Sequence, residues 1–107
     1  MIKTLTIDGK ELEFAANAAT PFRYKQIFHR DLFQILANEE KAETEGVEAV
    51  TQLAYVMVRN AEGADMNKLN EDDFITWLEG FSGMAFINAA EDILSVYMDS
   101  THGSATP

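Results

Sequence analysis

Two histidines, His29 and His102, and two acidic pairs, Asp72-Asp73 and Glu91-Asp92, are the residues of this chain whose types suit proton transfer or metal ligation. Their spacing argues against both. The histidines are far apart in sequence, and adjacent carboxylates on a helix point about 100° apart, so each acidic pair suits solvent or a positive helix N-terminus better than a shared proton. Asp65-Met66-Asn67 opens like a calcium loop, but an EF-hand then needs an oxygen ligand where Leu69 stands, glycine where Asn70 stands and glutamate where Thr76 stands. The sequence holds no phosphate-cradling glycine loop, dinucleotide fingerprint or His-Glu-x-x-His helix. Cysteine is absent, which removes disulfides, thiolate catalysis and cysteine-ligated zinc, and suits a reducing compartment. A small hydrolase built on Ser82 or Ser95 with His29 is the weakest reading; His29 better suits a helix end, where a cation complements the dipole, and His102 belongs to the tail. The expectation is a binding protein with no catalytic residue, no metal and no cofactor.

Charge narrows the partners. Eighteen acidic against eight basic residues give a net charge of −10, which opposes nucleic acid and anionic membrane surfaces and leaves proteins as the expected partners. The balance is uneven: residues 1–30 carry five basic and three acidic residues, and the remainder three basic and fifteen acidic. That asymmetry favours head-to-tail contact between copies, although a solvated acidic helical surface accounts for it more simply. The opening residues lack the continuous apolar segment of a signal peptide, and the longest strongly apolar run, Leu53 to Val58, is too short to span a bilayer, so a cytosolic location is expected.

The elements that would position a binding surface follow from periodicity and caps. Residues 2–7 alternate, Asp8-Gly9 supplies the positive-φ pair of a tight turn, and Leu12 and Phe14 share a face, so a β-hairpin is predicted whose apolar side packs on helices. Thr20-Pro21 begins a helix with Thr20 as its cap and Tyr24, Ile27 and Phe28 buried. Continuing that helix would drive Asp31 into its apolar stripe, so a break is placed at His29–Asp31, with Asp31 capping a second helix carrying Leu32, Phe33, Ile35 and Leu36. Residues 38–48 are polar and acidic and read as a frayed end and loop, with Thr44 capping a third helix whose buried face is Val47, Val50, Leu53, Ala54, Met57 and Val58. Asn70 caps a fourth helix, with carboxylates in its positive first turn and Phe74, Ile75, Trp77, Leu78 and Phe81 buried. Gly80-Phe81-Ser82-Gly83 ends it, and a last helix runs to about Asp99 with Phe86, Ile87, Ala90, Ile93, Leu94 and Tyr97 on the dry face. The fold expected is α+β, mainly helical: one domain over residues 1–99, an N-terminal hairpin packed on four to five short helices, and a disordered tail over residues 100–107.

Some apolar residues are left over. Tyr55 and Val56 fall outside their helix stripe and need another surface, Phe22 lies on the far side of its helix, and Met57, Met66, Met84 and Met98 punctuate the helical part. Methionine adapts to varied partners, so a groove between the last two helices, presenting Phe81, Met84, Tyr97 and Met98, is the first candidate for a client helix, and Tyr55 with Val56 the second.

Four segments in this order resemble the small tail assembly chaperones of long-tailed phages of Gram-positive bacteria. They are Leu5 to Phe14 around Asp8-Gly9-Lys10; Tyr24 to Leu32 around His29-Arg30-Asp31; the apolar helix at Leu53-Ala54-Tyr55; and Asp72-Asp73-Phe74-Ile75-Thr76-Trp77-Leu78. The likeness spans nearly residues 2–98 and rests on order and spacing; family members commonly carry glycine where His29 stands. The resemblance implies a protein that coats the helical, aggregation-prone tape-measure protein, keeps it soluble until tail-tube subunits polymerise around it, and self-associates. It implies action in the host cytoplasm and absence from the mature virion. The alternative from another class is an acidic inhibitor that mimics nucleic acid and fills the basic cleft of a partner protein.

Overall fold

Two strands and five α-helices form over residues 2–102, the residues described in a computed structural model of the protein. Strand β1 (Ile2–Ile7) pairs antiparallel with β2 (Lys10–Ala15), with Ile7 opposite Lys10 and Leu5 opposite Leu12. Asp8 and Gly9 at the turn have φ of 55° and 76°, as a two-residue turn matched to strand twist requires. Ile7 and Phe14 enter the core from the inner face, and α3 (Glu39–Ala61) lies under β2 while α5 (Ala85–His102) lies under β1. Helices make up most of the described residues, so the expected class, α+β and mainly helical with an N-terminal hairpin, is what forms.

Helix α1 (Thr20–Phe28) starts at the residue expected to cap it, with Ala19 in the cap position. Thr20 is inside the helix and buried; its hydroxyl accepts from the Asn17 amide (2.9 Å), and Asn17 Oδ1 accepts from the Ala19 amide (2.8 Å). Thr20 is therefore tied back to the loop and caps nothing. The break at His29 is present: His29 takes φ 58° and ψ 36°, its amide donates to Lys25 O, and Asp31 then accepts from the amides of Phe33 and Gln34 to cap α2 (Leu32–Ala37). A left-handed residue at this point is the usual way to end one helix and re-aim the chain.

The third helix differs most from expectation. Asn38 accepts from the Lys41 amide, Glu39 and Glu40 occupy the positive first turn, and α3 runs unbroken through the segment expected to be a loop. Thr44 is interior, its hydroxyl bonded to Glu40 O. Glutamate, alanine and lysine are strong helix formers, so polarity there marks a wet helical surface and not a coil. From Ala49 to Val58 only Gln52 escapes burial, because α3 is enclosed by β2, α1, α2, α4 (Glu71–Leu78) and α5. A helix surrounded in this way has no single dry stripe. Tyr55 and Val56 are consequently core residues, at 0% and 1% exposure, whereas Val47, in the wet half, is 45% exposed. Phe33 and Ile75, also expected inside, are exposed on the outer sides of their short helices.

After a 3-10 turn (Met66–Lys68), Asn70 accepts from the Asp73 amide (2.8 Å) and starts α4 as the sequence predicts. Helix α5 continues to His102, past its expected end at Asp99; most of the tail expected over residues 100–107 lies outside the described residues. Among the described residues no helix is long and apolar enough to cross a membrane.

Candidate partner-binding surface

The bend between α4 and α5 is held from outside by the hairpin tip. Asp8 accepts from the Ser82 amide (2.9 Å) and hydroxyl (3.1 Å), and these bonds hold its carboxyl below the usual carboxylate range. Lys10 donates to Gly80 O and lies over the Phe81 ring, 4.5 Å from its centroid. Phe81 in turn packs on Trp77 (5.2 Å between centroids) and Phe86 (4.9 Å), and Trp77 on Phe86 (5.2 Å). The expected groove between the last two helices is thus filled by their own aromatic rings. Phe81, half-buried, is one of those rings and offers no open slot.

Apolar surface lies instead along the outer side of α5. Met84 is 56% exposed, Ile87 51% and Met98 43%, with Leu94 half-buried. At about 100° per residue these four fall within a sector of roughly 80°, and Glu91 and Ser95 stand beside or within it. Ala85, Phe86, Ile93, Val96 and Tyr97 face the core on the opposite side. Of the six residues singled out from sequence, Met84 and Met98 share this outer face, Phe81 packs among the aromatic rings under the hairpin tip, and Tyr97, Tyr55 and Val56 are buried. Tyr97 is turned inward at 3% exposure, and its hydroxyl is held above the ordinary tyrosine range by burial. Tyr55 donates to Asp73 (2.5 Å) and stacks with Phe28, Phe74 and Trp77, so it cannot serve as the second candidate surface without unfolding α3 from its neighbours. Ile87 and Leu94 were missed. The signal was there: apolar residues from Ala85 round to Ile87 cover about 200° of α5, twice what one buried stripe requires, so one side had to remain exposed.

Two polar nodes complete the site's surroundings. Arg30, in the break between α1 and α2, pairs with Glu45 (2.6 Å) and Glu48 on α3 and donates to Gln52 Oε1 (3.1 Å), which also accepts from the Tyr24 hydroxyl (2.7 Å). Burial pushes the Tyr24 hydroxyl up to about 12. Arg30 and Glu48 line a shallow, open cavity of about 430 Å³ floored by Phe28, Phe74 and Leu78. The second node joins Arg59 to Glu62 (2.8 Å) and to Asp73 (3.5 Å), with the Tyr55 hydroxyl also pushed up to about 12, by burial first and by Asp73 second. Ser82 is bonded to Asp8 and not to His29, whose exposed ring sits at the end of α1. Among the described residues no group of three or more His, Asp or Glu side chains converges as a metal ion would need.

Comparison with family models, curated proteins and solved structures finds no significant match. Both arginine nodes pair with carboxylates and tie elements together, although the buried Arg59 Nε has no hydrogen-bond acceptor among the described residues, and the raised tyrosines are neutral hydrogen-bond donors at ordinary pH. The surface open to another molecule on α5 is an apolar strip edged by Asn88, Glu91, Asp92 and Ser95, all exposed.

Proposed function

We propose that this chain is a tail assembly chaperone of a long-tailed phage, which binds the helical tape-measure protein and keeps it soluble until tail-tube subunits compete for the same surface. The observation that carries the reading is the outer face of α5, where Met84, Ile87, Leu94 and Met98 form an apolar strip on a chain of net charge −10. An amphipathic client helix lays its apolar side on such a strip, and the flanking carboxylates keep the complex soluble. Binding of this kind needs no cofactor. The resemblance of the four sequence segments supplies the identity of the client, the expected self-association and the host-cytoplasmic setting. An acidic mimic of nucleic acid is less favoured, because its exposed face would have to be a continuous array of carboxylates, and that of α5 is half apolar.

The test is co-expression with the large, helical, apolar-patterned protein encoded next to this chain. The client stays soluble with the wild type and precipitates with Ile87→Asp or Met84→Asp, while both variants melt as the wild type does. A client whose solubility is the same with and without the chain removes the reading. Selective capture of a basic nuclease or repressor would replace it with the mimic.

A further inference from the structure

The hairpin is a two-stranded sheet, and its two outer edges are treated differently. With a two-residue turn, Ile7 and Lys10 exchange both of their backbone bonds, so Lys3, Leu5 and Ile7 point their amides and carbonyls at β2. Ile2, Thr4 and Thr6 point theirs outward, as do Glu11, Glu13 and Ala15 on the other strand. The β2 edge is defended: it carries two carboxylates, and Asn60 Nδ2 donates to Ala15 O (3.1 Å). The β1 edge is not. Among the described residues no hydrogen bond reaches the outward groups of Ile2, Thr4 or Thr6. The strand Ile-Lys-Thr-Leu-Thr-Ile has no proline, glycine or carboxylate, and the side chains of Ile2, Thr4 and Thr6 are exposed.

We propose that two copies of this chain pair through their β1 edges, antiparallel about a twofold axis at Thr4, to make one four-stranded sheet. Charge selects this occupant and this edge. Two chains of net charge −10 repel, and β1 is a strand without an acidic residue, so here they approach at least electrostatic cost. Self-pairing of β2 would bring Glu11 and Glu13 of each copy together. In the β1 register Thr4 meets Thr4, Ile2 meets Thr6, and Lys3 meets Leu5, so no like charges oppose each other. Each of Ile2, Thr4 and Thr6 gives one main-chain bond and takes one. Head-to-tail contact, favoured by charge asymmetry alone, has less to work with in the folded chain: Arg30 is committed to Glu45 and Glu48, Lys10 to Gly80 and Phe81, and Arg23 to Gln26 and Asn67. The inference does not rest on the chaperone reading, because it uses only the strand edge.

Light scattering from about 1 μM to about 1 mM, the span over which weak to moderate self-affinity registers, reads the association. A dimer is expected that persists at about 1 M salt, since main-chain pairing is not screened as ion pairs are. Thr4→Pro deletes the outward amide at the twofold while sparing the hairpin's own ladder, and should weaken the dimer at least about tenfold. Because the chain has no cysteine, Thr4→Cys and Glu13→Cys give a second readout independent of that proline. Under mild oxidation Thr4→Cys should link two copies within the time that leaves Glu13→Cys monomeric. A monomer throughout the concentration range, a dimer unchanged by Thr4→Pro, or equal cross-linking at both positions would each overturn the proposal.

Discussion

Replacing Arg30 by methionine tests whether the break between α1 and α2 is held by its guanidinium. The side chain is 19% exposed and its carboxylate partners on Glu45 and Glu48 are 42% and 67% exposed, so each ion pair is discounted for solvent screening to about 0.5 kcal/mol. The bond to Gln52 is part-buried and contributes about 1 kcal/mol. Together these come to about 2 kcal/mol. Spread over 107 residues, the unfolding entropy at the midpoint converts that loss into a fall in Tm of roughly 9 °C. Urea unfolding with an unchanged slope should give the same loss, and adding salt to the wild type should remove only the ion-pair half. Arg30→Lys keeps the charge but cannot bridge three acceptors, so it should recover less than half of the stability. A loss below about 0.5 kcal/mol for Arg30→Met would refute the reasoning and assign the break to the caps alone.

Three further outcomes are expected. His29→Gly should raise stability by about 0.5–1 kcal/mol and His29→Val should lower it, because φ there is 58° and the ring is exposed; paired thermal melts check this. Tyr24 and Tyr55 have folded-state values raised to about 12 from 10.0, so the stability they contribute is complete below pH 10 and is lost as pH rises toward 12. Absorbance titration should show their ionisation coinciding with unfolding, and Tyr24→Phe with Tyr55→Phe should flatten the alkaline limb. Ile93→Ala, at 0% exposure, should cost about 2–5 kcal/mol, whereas Ile87→Ala, on the outer face of the same helix, should cost under about 1 kcal/mol; chemical denaturation separates them.

Local chemistry was read from the sequence more faithfully than burial was. The Asp8-Gly9 turn, the interruption at His29, the Asp31 cap and the Asn70 cap all form where residue types demand them, because each is decided within a few residues. Polarity alone makes Glu39 to Glu48 resemble a loop, whereas Asn38 and the helix-forming residues after it settle the backbone as α3. Tyr55 and Val56 were assigned to a surface because a stripe model supposes one dry side, and neighbours all round α3 exist only in the tertiary structure. The same limit hid the strip on α5: Met84 and Met98 stood out by type, but Ile87 and Leu94 looked like core until the packing of Phe86, Ile93 and Val96 chose which side of the helix turned inward.

The bonds from Asp8 to Ser82 join positions 74 apart in sequence, and this sets an order on assembly as the chain is made. A hairpin closed by a two-residue turn forms in microseconds, long before translation at several residues per second can deliver the α4–α5 bend. Until then its inner residues, Leu5, Ile7, Leu12 and Phe14, have no helix beneath them, and nascent chains on neighbouring ribosomes present the same bare strands to one another. Slow codons between the hairpin and Ser82 would lengthen that interval, and faster ones would shorten it. The yield of soluble protein should therefore respond to synonymous changes in that stretch even though the amino-acid sequence is untouched.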